Sequence, residues 1–301
     1  VLGTNFGGMT AGEVAFRRRL LDGNSLQDLT AFLPDFALHE VRRAIGGVGP
    51  EACLSLSCAS GAAAIGTALE WIRCGRCDIV LAGGYDALSE SAFAGLSALR
   101  AIARDTIRPF DRDRSGSIFA EGAAVLVVES EASARRRGVV PYCYLLGRGI
   151  NNDAFHMTAP EKTGRGIIAV MRMALADAGV AREDIAHINL HGTGTPYNDQ
   201  IETLAIKEVF GDHSKRIVVT ANKSLFGHTM GAAGALEAAV TALSIKDGLV
   251  PPTIGCQERD PELDLDVCFG TARHMAIPYA MTNSYGLGGT NASLVLGALQ
   301  P

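Results

Sequence analysis

Hydrophobic and polar positions along this chain follow two alternating patterns. Continuous apolar runs at 79–82 and 123–128 are typical of strands covered on both faces, and strands are also predicted at 187–190 and 217–220. Between these runs, apolar residues recur every three or four positions, which predicts helices. Apolar strands separated by helices are typical of parallel-type sheets. The pattern therefore predicts an α/β fold.

The two halves of the chain repeat one order of elements: strand, polar elbow, alanine-rich helix, strand, glycine turn, strand. The first elbow contains Cys58, and the second contains Lys223 and His228. We interpret this as an internal duplication, with halves at 1–155 and 156–301. Sheets of this class carry their sites at strand ends, where these residues fall.

Composition narrows the class of protein. The chain has 301 residues, of which 48% are hydrophobic, so it can bury a large core. A net charge of −5 argues against a nucleic-acid partner. The sequence contains neither an apolar run long enough for a membrane span nor a signal segment. Seven cysteines without a regular framework suit a reducing cytoplasm, and Cys74-Gly-Arg-Cys77 lacks the second pair of a zinc site. We expect a cytoplasmic enzyme without a metal.

Arginines cluster in two places, at 104, 108, 112 and 114 and at 135–137. Either cluster could meet an acidic protein. The alternative is that they are solvated loops and helix ends, and we favour this for the second cluster.

Cys58 lies where a strand-like run, 53–57, gives way to a helical pattern that begins near Gly61. The first turn of a helix has unpaired N–H groups and the positive end of the dipole, which shift a cysteine toward the thiolate. The small residues that follow let a substrate carbonyl approach. Cys58 is therefore a candidate nucleophile, although an ordinary buried cysteine is the alternative.

Two histidines follow predicted strands and are flanked by glycine. His191 precedes Gly-Thr-Gly-Thr, and His228 follows Gly227. Neutral imidazoles donate hydrogen bonds, so two that converge on one oxygen would stabilise a developing enolate. The loop at 283–291 could add backbone donors. Its glycines do not indicate a dinucleotide site, because a strand follows them.

Six segments together resemble one family across nearly the whole chain. They are Ser57-Cys-Ala-Ser-Gly61, His191-Gly-Thr-Gly-Thr-Pro196, Asn198-Asp199 with Glu202-Thr203, Lys223-Ser224 with Gly227-His228, Gly231-Ala-Ala-Gly234 and Gly288-Gly-Thr-Asn-Ala-Ser293. The set is similar to the elongating, Cys-His-His β-ketoacyl-[acyl-carrier-protein] synthases of the thiolase-like superfamily. The resemblance implies a duplicated, five-layered αβαβα fold and a homodimer. It also implies substrates carried on the phosphopantetheine of an acyl carrier protein, with no other cofactor. Against the family, we expect roughly a hundred residues, including a strand, to be missing before Val1.

The resemblance assigns a chemical role to each main residue. Cys58 would take the acyl chain as a thioester, with its own N–H and that of Tyr285 forming the oxyanion hole. His191 and His228 would hold the malonyl thioester oxygen while CO2 leaves. The carbanion equivalent would then attack the acyl-Cys58 carbonyl, which is decarboxylative condensation in fatty-acid or polyketide elongation.

The same resemblance assigns supporting roles. Lys223 and Glu202 would form an ion pair that sets the electrostatics of the site. Thr193 and Thr195 would hydrogen-bond the phosphopantetheine arm, and Thr158 would contact it as well. The alternative for these threonines is simple loop structure.

The chain departs from the family at several positions near the site. Tyr285 and Leu287 stand where phenylalanines are usual, and Ser117 and Ala120 depart from the usual glycine-rich pattern around Glu121. These changes bear on the preference for acyl chains more than on catalysis.

Two other functions are compatible with parts of the pattern. One is a non-catalytic partner subunit that shapes the chain, but such subunits typically lack the cysteine. The other is a thioester hydrolase that uses Cys58 and His191, for which a second histidine and the Lys223 motif have no obvious use.

Overall fold

The computed structural model describes residues 1–22 and 29–299. The helices are α1 (Met9–Asp22), α2 (Phe36–Ile45), α3 (Ser60–Arg73), α4 (Glu90–Ala98), α5 (Glu131–Arg137), α6 (Arg165–Ala178), α7 (Pro196–Phe210), α8 (Lys223–Phe226) and α9 (Ala233–Asp247). The strands are β1 (Leu2–Gly3), β2 (Cys53–Leu54), β3 (Ile79–Asp86), β4 (Gly122–Glu129), β5 (Tyr144–Asn152), β6 (Ile185–Asn189), β7 (Val218–Thr220), β8 (Leu249–Val250), β9 (Asp266–Val267), β10 (Arg273–His274), β11 (Tyr279–Gly286) and β12 (Thr290–Gly297). Short 3-10 turns lie at Thr30–Phe32, Arg182–Asp184, Gly211–Arg216 and Met230–Ala232. Among the helices in these two ranges, none is long and apolar enough to cross a membrane.

The strands form two main sheets. The first has the order β2-β1-β3-β4, and the second has the order β5-β12-β11-β6-β7-β9. A short antiparallel pair, β10-β8, completes the strands. The last strand of the first sheet, β4, ends at Glu129. The next strand along the chain, β5, pairs with β12 in the second sheet, so the chain has passed from the first sheet to the second before residue 155.

The expectation of parallel-type sheets was wrong for part of each sheet. β1 runs parallel to β2 and β3, and β6 runs parallel to β7 and β11. By contrast, β4 is antiparallel to β3, and β12 is antiparallel to β11 and β5. The turn between β11 and β12 is too short for a crossover, so only an antiparallel return is possible there. A continuous apolar run indicates that both faces of a strand are buried, but it does not indicate the direction in which the strand runs.

Helices α3 and α9 lie side by side between the two sheets. Their apolar residues share one core cluster with residues of β3 and of β11 and β12. On the far face of the second sheet, α6 and α7 pack over a second cluster. Within residues 1–22 and 29–299, four layers therefore follow one another: first sheet, α3 with α9, second sheet, α6 with α7. The fifth layer expected from the resemblance is not among them. On the edge strand β4, Val125 and Val127 are 46% and 59% exposed.

Glycines let α3 approach the start of α9, and the turn before it, very closely. A Cβ on Gly61 would lie 2.8 Å from the Gly231 carbonyl oxygen, and one on Gly234 would lie 2.8 Å from the Ala62 nitrogen. Larger residues would push the two helices apart. Because Cys58 precedes α3 and His228 precedes α9, this close packing brings the two residues together.

Candidate active site

Cys58 sits on a strained turn just before α3. Ser57 has φ of 51°, a left-handed conformation that residues other than glycine rarely adopt. The Ser60 hydroxyl stabilises this turn, since it accepts from the Leu56 N–H at 2.8 Å and donates to the Ser57 carbonyl at 2.6 Å. Gly286 packs against the turn, where a Cβ would lie 3.1 Å from the Cys58 nitrogen. The turn thus presents the thiol to the space beside the second sheet.

The structure brings Cys58, His191 and His228 together. Nε2 of His228 lies 3.1 Å from the Cys58 sulfur. The rings of His191 and His228 meet edge to face, with centroids 5.5 Å apart. All three side chains are buried, although they come from distant parts of the chain. The ring of Phe119 stacks on His228, and the ring of Tyr285 contacts His191.

Hydrogen bonds on the opposite side of each ring fix the tautomer of both histidines. The ammonium of Lys223 lies 3.2 Å from Nδ1 of His191, and the backbone N–H of Met230 donates to Nδ1 of His228 at 3.2 Å. In both rings Nδ1 is the acceptor, so the proton of the neutral imidazole lies on Nε2. Each ring therefore offers an Nε2–H donor.

Burial keeps both imidazoles neutral. Loss of hydration lowers the pKa of His191 well below its usual value, and the nearby charge of Lys223 lowers it further. The pKa of His228 is lowered by burial and then by Lys223. Neutral Nε2–H groups can stabilise an oxyanion without first losing a proton.

The expected ion pair between Lys223 and Glu202 is wrong, because Lys223 pairs with Glu237 instead. The Lys223 ammonium makes a very short contact with the Glu237 carboxylate and donates to the His191 carbonyl at 2.7 Å. Both side chains are fully buried. Burial raises the pKa of Glu237 to about 7, and the Lys223 ammonium opposes that shift. The sequence did not reveal Glu237, because it lies within the alanine-rich helix α9.

Glu202 has a different task from the one expected. Its two carboxylate oxygens accept the backbone N–H groups of His191 and Gly192, each at 2.9 Å. Burial raises the pKa of Glu202 to about 8. Glu202 lies on α7, a helix that the sequence pattern did not indicate. It therefore holds the turn that carries His191 and does not neutralise Lys223 directly.

The expected shift of Cys58 toward the thiolate was also wrong. Burial raises the pKa of the Cys58 thiol to about 11, and the Lys223 charge and two backbone N–H groups only partly offset this. The loss of hydration outweighs the helix end. At neutral pH, Cys58 is therefore a thiol.

This pKa predicts how fast a small alkylating reagent reacts with Cys58. Since only the thiolate reacts, the rate of modification by iodoacetamide should rise about tenfold per pH unit from pH 7 to about pH 10. An exposed cysteine, with a pKa of about 8.5, would level off near pH 9. Peptide mapping by mass spectrometry separates Cys58 from exposed Cys74, which serves as the internal reference. A plateau for Cys58 below pH 8 would contradict the raised pKa.

Leu287, and not Tyr285, supplies the second N–H at the sulfur. The backbone N–H groups of Leu287 and of Cys58 itself both hydrogen-bond the Cys58 sulfur and favour its charged form. Tyr285 lies in β11 and contributes its ring to the site, beside His191. The second oxyanion donor is therefore two residues further along the chain than the sequence analysis predicted. Sequence motifs do not reveal a backbone N–H, because the side chain at that position carries no signal.

The three threonines expected along the pantetheine route have different environments. The hydroxyls of Thr193 and Thr195 lie 2.9 Å apart, and Thr195 also caps α7 by accepting the N–H of Asn198. Thr158 is exposed, and its N–H donates to His156 at 3.1 Å. Thr193 and Thr195 lie close behind His191 in sequence and on the turn into α7, whereas Thr158 belongs to a surface loop.

Several buried polar atoms around Glu237 have no hydrogen-bond partner within the protein. They are one oxygen each of Glu237, Asn189, Thr282 and Ser284. Such atoms are usually satisfied by ordered water. Within residues 1–22 and 29–299, no three histidine, cysteine, aspartate or glutamate side chains form a group that could hold a metal ion.

Comparison with protein families gives two matches. Residues 29–134 match the model described as "Beta-ketoacyl synthase, N-terminal domain". Residues 142–257 match the model described as "Beta-ketoacyl synthase, C-terminal domain". The first match contains Cys58, and the second contains both histidines.

Individual proteins are similar over nearly the whole chain. Nodulation protein E of Rhizobium meliloti (strain 1021) is 41% identical over 297 residues, which cover 97% of this chain and 73% of that protein. The 3-oxoacyl-[acyl-carrier-protein] synthase 2 of Staphylococcus aureus (strain COL) is 40% identical over 304 residues, covering 98% of this chain and 73% of that protein.

Solved structures share the fold. A ketosynthase solved with a type II PKS acyl-carrier protein and a bound hexaketide has a TM-score of 0.96 and 31% identity, covering 99% of this chain and 77% of that one. The ishigamide ketosynthase/chain length factor has a TM-score of 0.89 and 37% identity, covering 99% and 75%. The thiolase-like fold expected from the sequence is thereby confirmed.

Proposed function

The chain belongs to the β-ketoacyl synthase family of condensing acyltransferases, and on this basis we propose that it joins an acyl group on Cys58 to malonyl-[acyl-carrier-protein] with loss of CO2. The reaction is a decarboxylative Claisen condensation in fatty-acid or polyketide elongation. One observation carries the proposal: two buried imidazoles present Nε2–H donors beside one buried thiol.

The first step is transfer of the acyl group to Cys58. The Cys58 sulfur forms a bond to the carbonyl carbon of an acyl carrier thioester, and the pantetheine sulfur leaves with the thiol proton. The N–H groups of Cys58 and Leu287, which lie beside the reacting sulfur, stabilise the tetrahedral oxyanion. The Nε2–H of His228, at 3.1 Å, supports the developing thiolate.

The second step is decarboxylation of the malonyl group. The bond between the carboxylate and the α-carbon breaks, CO2 leaves, and the electron pair forms an enolate of the thioester. Negative charge develops on the thioester oxygen, where the Nε2–H groups of His191 and His228 stabilise it. Each donor that is fixed in place in advance contributes about 10²–10³ in rate.

The third step forms the new carbon–carbon bond. The enolate carbon attacks the acyl-Cys58 carbonyl, whose oxygen is held by the N–H groups of Cys58 and Leu287. When the tetrahedral intermediate collapses, the Cys58 thiolate leaves and takes up a proton from solvent, which restores the resting thiol. The product remains on the carrier protein as a β-ketoacyl thioester.

Further features of the proposal follow from the family. The acyl carrier protein delivers both substrates, and Thr193 and Thr195 contact the phosphopantetheine arm, with Thr158 at its outer end. The substrates need no other cofactor. Seven free cysteines suit a reducing, cytoplasmic location. A homodimer is the assembly that we propose.

The experiment that tests this function follows both partial reactions by mass spectrometry. The protein is incubated with an acyl-[acyl-carrier-protein], and the mass of the Cys58 peptide is measured before and after malonyl-[acyl-carrier-protein] is added. We expect a stable acyl adduct that disappears as β-ketoacyl product forms. Release of free acid without malonyl substrate would indicate a hydrolase. Absence of any adduct would indicate a non-catalytic partner.

A further inference from the structure

The segment 110–120 touches the supports of both catalytic histidines. The carbonyl of Ile118 accepts the N–H of His228 at 2.7 Å, and the N–H of Ala120 donates to the His228 carbonyl at 3.0 Å. Nearer its start, the N–H of Gly116 donates to the carbonyl of Gly194, three residues after His191, at 3.2 Å. The position of this segment therefore sets the distance between the two histidine turns.

Arg114 anchors this segment through a buried guanidinium. One terminal nitrogen bonds the carboxylate of Asp260 at 2.6 Å and the carbonyl of Asp111 at 2.9 Å. The other bonds the carbonyl of Pro196 at 3.1 Å. The side chains of Arg114 and Asp260 are only 8% and 15% exposed. A single side chain thus joins three stretches of chain that are far apart in sequence.

The contact with Pro196 reaches the turn that carries His191. Pro196 is the first residue of α7, and Asp199 and Glu202 lie in its first two turns. Asp199 accepts the N–H groups of Phe110 at 3.0 Å and of Gly194 at 3.2 Å. Glu202 accepts those of His191 and Gly192. The start of α7 is therefore fixed to the 110–120 segment on one side and to the His191 turn on the other.

The other arginines of this cluster do not share these contacts. Arg112 pairs with Glu258 on the surface, where the two side chains are 56% and 58% exposed. Arg108 pairs with Asp105, which is 56% exposed. Three arginines that the sequence offered as a surface for an acidic partner are thus already paired with acids of the same chain.

We propose that Arg114, held by Asp260, is a positioning residue that sets the two histidines relative to each other for decarboxylation. The proposal rests on the proposed function, since it concerns the step that the histidines catalyse. The acylation step uses Cys58, the N–H groups at its sulfur and the neighbouring Nε2–H of His228. Decarboxylation needs in addition that His191 and His228 converge on one oxygen, and this depends on the distance between the two histidine turns. Loss of Arg114 should therefore affect the two partial reactions unequally.

The three contacts of Arg114 require the planar, forked shape of a guanidinium. It reaches a carboxylate and two carbonyls in different directions at once, whereas a lysine ammonium is a point charge on a flexible stem. Arg114→Lys retains the charge next to Asp260 but cannot keep all three contacts in place. This substitution separates a requirement for the ion pair from a requirement for the geometry.

The experiment compares Arg114→Lys, Arg114→Met and Asp260→Asn in the intact protein, with Arg112→Met as the matched control from the same loop. Three quantities are measured: the thermal midpoint, the rate of Cys58 acylation from an acyl-[acyl-carrier-protein], and kcat and KM for malonyl decarboxylation. All rates are measured at a temperature well below the lowest thermal midpoint. The unmodified protein is measured in parallel, and if the proposed function is wrong, that protein will show no decarboxylation or acylation either.

We expect Arg114→Lys to keep a thermal midpoint close to that of the unmodified protein and to acylate Cys58 within about twofold of its rate. We expect its kcat for decarboxylation to fall at least about tenfold with little change in KM. The kcat of Asp260→Asn for decarboxylation should also fall. Arg112→Met should change none of the three quantities. Decarboxylation that stays within twofold in both Arg114→Lys and Asp260→Asn would overturn the proposal. An equal loss of acylation and decarboxylation would also overturn it, because that outcome is a general structural defect.

Discussion

Replacing Cys58 with alanine is expected to lower condensation by more than about four orders of magnitude, since no other group in the site can carry the acyl chain as a thioester. Decarboxylation of malonyl-[acyl-carrier-protein] should persist. The donors for the enolate oxygen are Nε2–H groups of His191 and His228, and their orientation depends on Lys223 and on the N–H of Met230, not on the sulfur. The measurements are product mass for condensation and CO2 release for decarboxylation.

Cys268→Ala is the matched control for this substitution. Cys268 is also buried, but its sulfur lies near the carbonyls of Val250 and Thr271, away from the histidines. Both activities should survive in that variant. Condensation at the original rate in Cys58→Ala, or loss of CO2 release in a variant that remains folded, would show that the roles are misassigned.

Removing both members of the Lys223–Glu237 pair should separate stability from activity. A single Glu237→Leu substitution leaves the Lys223 ammonium buried without its carboxylate, which costs about 3–5 kcal/mol in the free energy of unfolding. In the double variant Lys223→Met/Glu237→Leu no charge is left uncompensated, so most of that loss should be recovered. Decarboxylation should nevertheless stay about a hundredfold below the original rate, because His191 loses the cation that holds its proton on Nε2.

Urea unfolding and CO2 release are the two measurements for this pair. The control is the surface pair of Arg273 and Asp266, whose side chains are each 40% exposed and whose removal as Arg273→Met/Asp266→Leu should leave decarboxylation unchanged. If the double variant of the buried pair decarboxylates at the original rate, Lys223 does not orient His191. If the single and double variants are equally destabilised, the buried charge is not the cause of the loss.

The residues that the sequence revealed share a local signature. Cys58, His191 and His228 each stand next to glycine or small residues at a predicted strand exit, and that pattern is visible without coordinates. Glu237 has no such signature. It lies in an alanine-rich helix, 14 residues from Lys223, and nothing local marks it as the partner of a buried cation. The Leu287 N–H is hidden for a related reason, because backbone groups look the same at every position.

The sequence by itself determined many of the strands and helices, although not α7, as well as the family and the three residues to which we assign the chemistry, because each of these is written in short-range periodicity or in a motif. Only the tertiary structure decided the strand directions, the partner of Lys223, the tautomers of the histidines, the pKa of Cys58 and the anchoring by Arg114. Those properties depend on which groups meet across the fold and on how much water is excluded where they meet. Neither the contacts across the fold nor the exclusion of water can be inferred from residues that are neighbours along the chain.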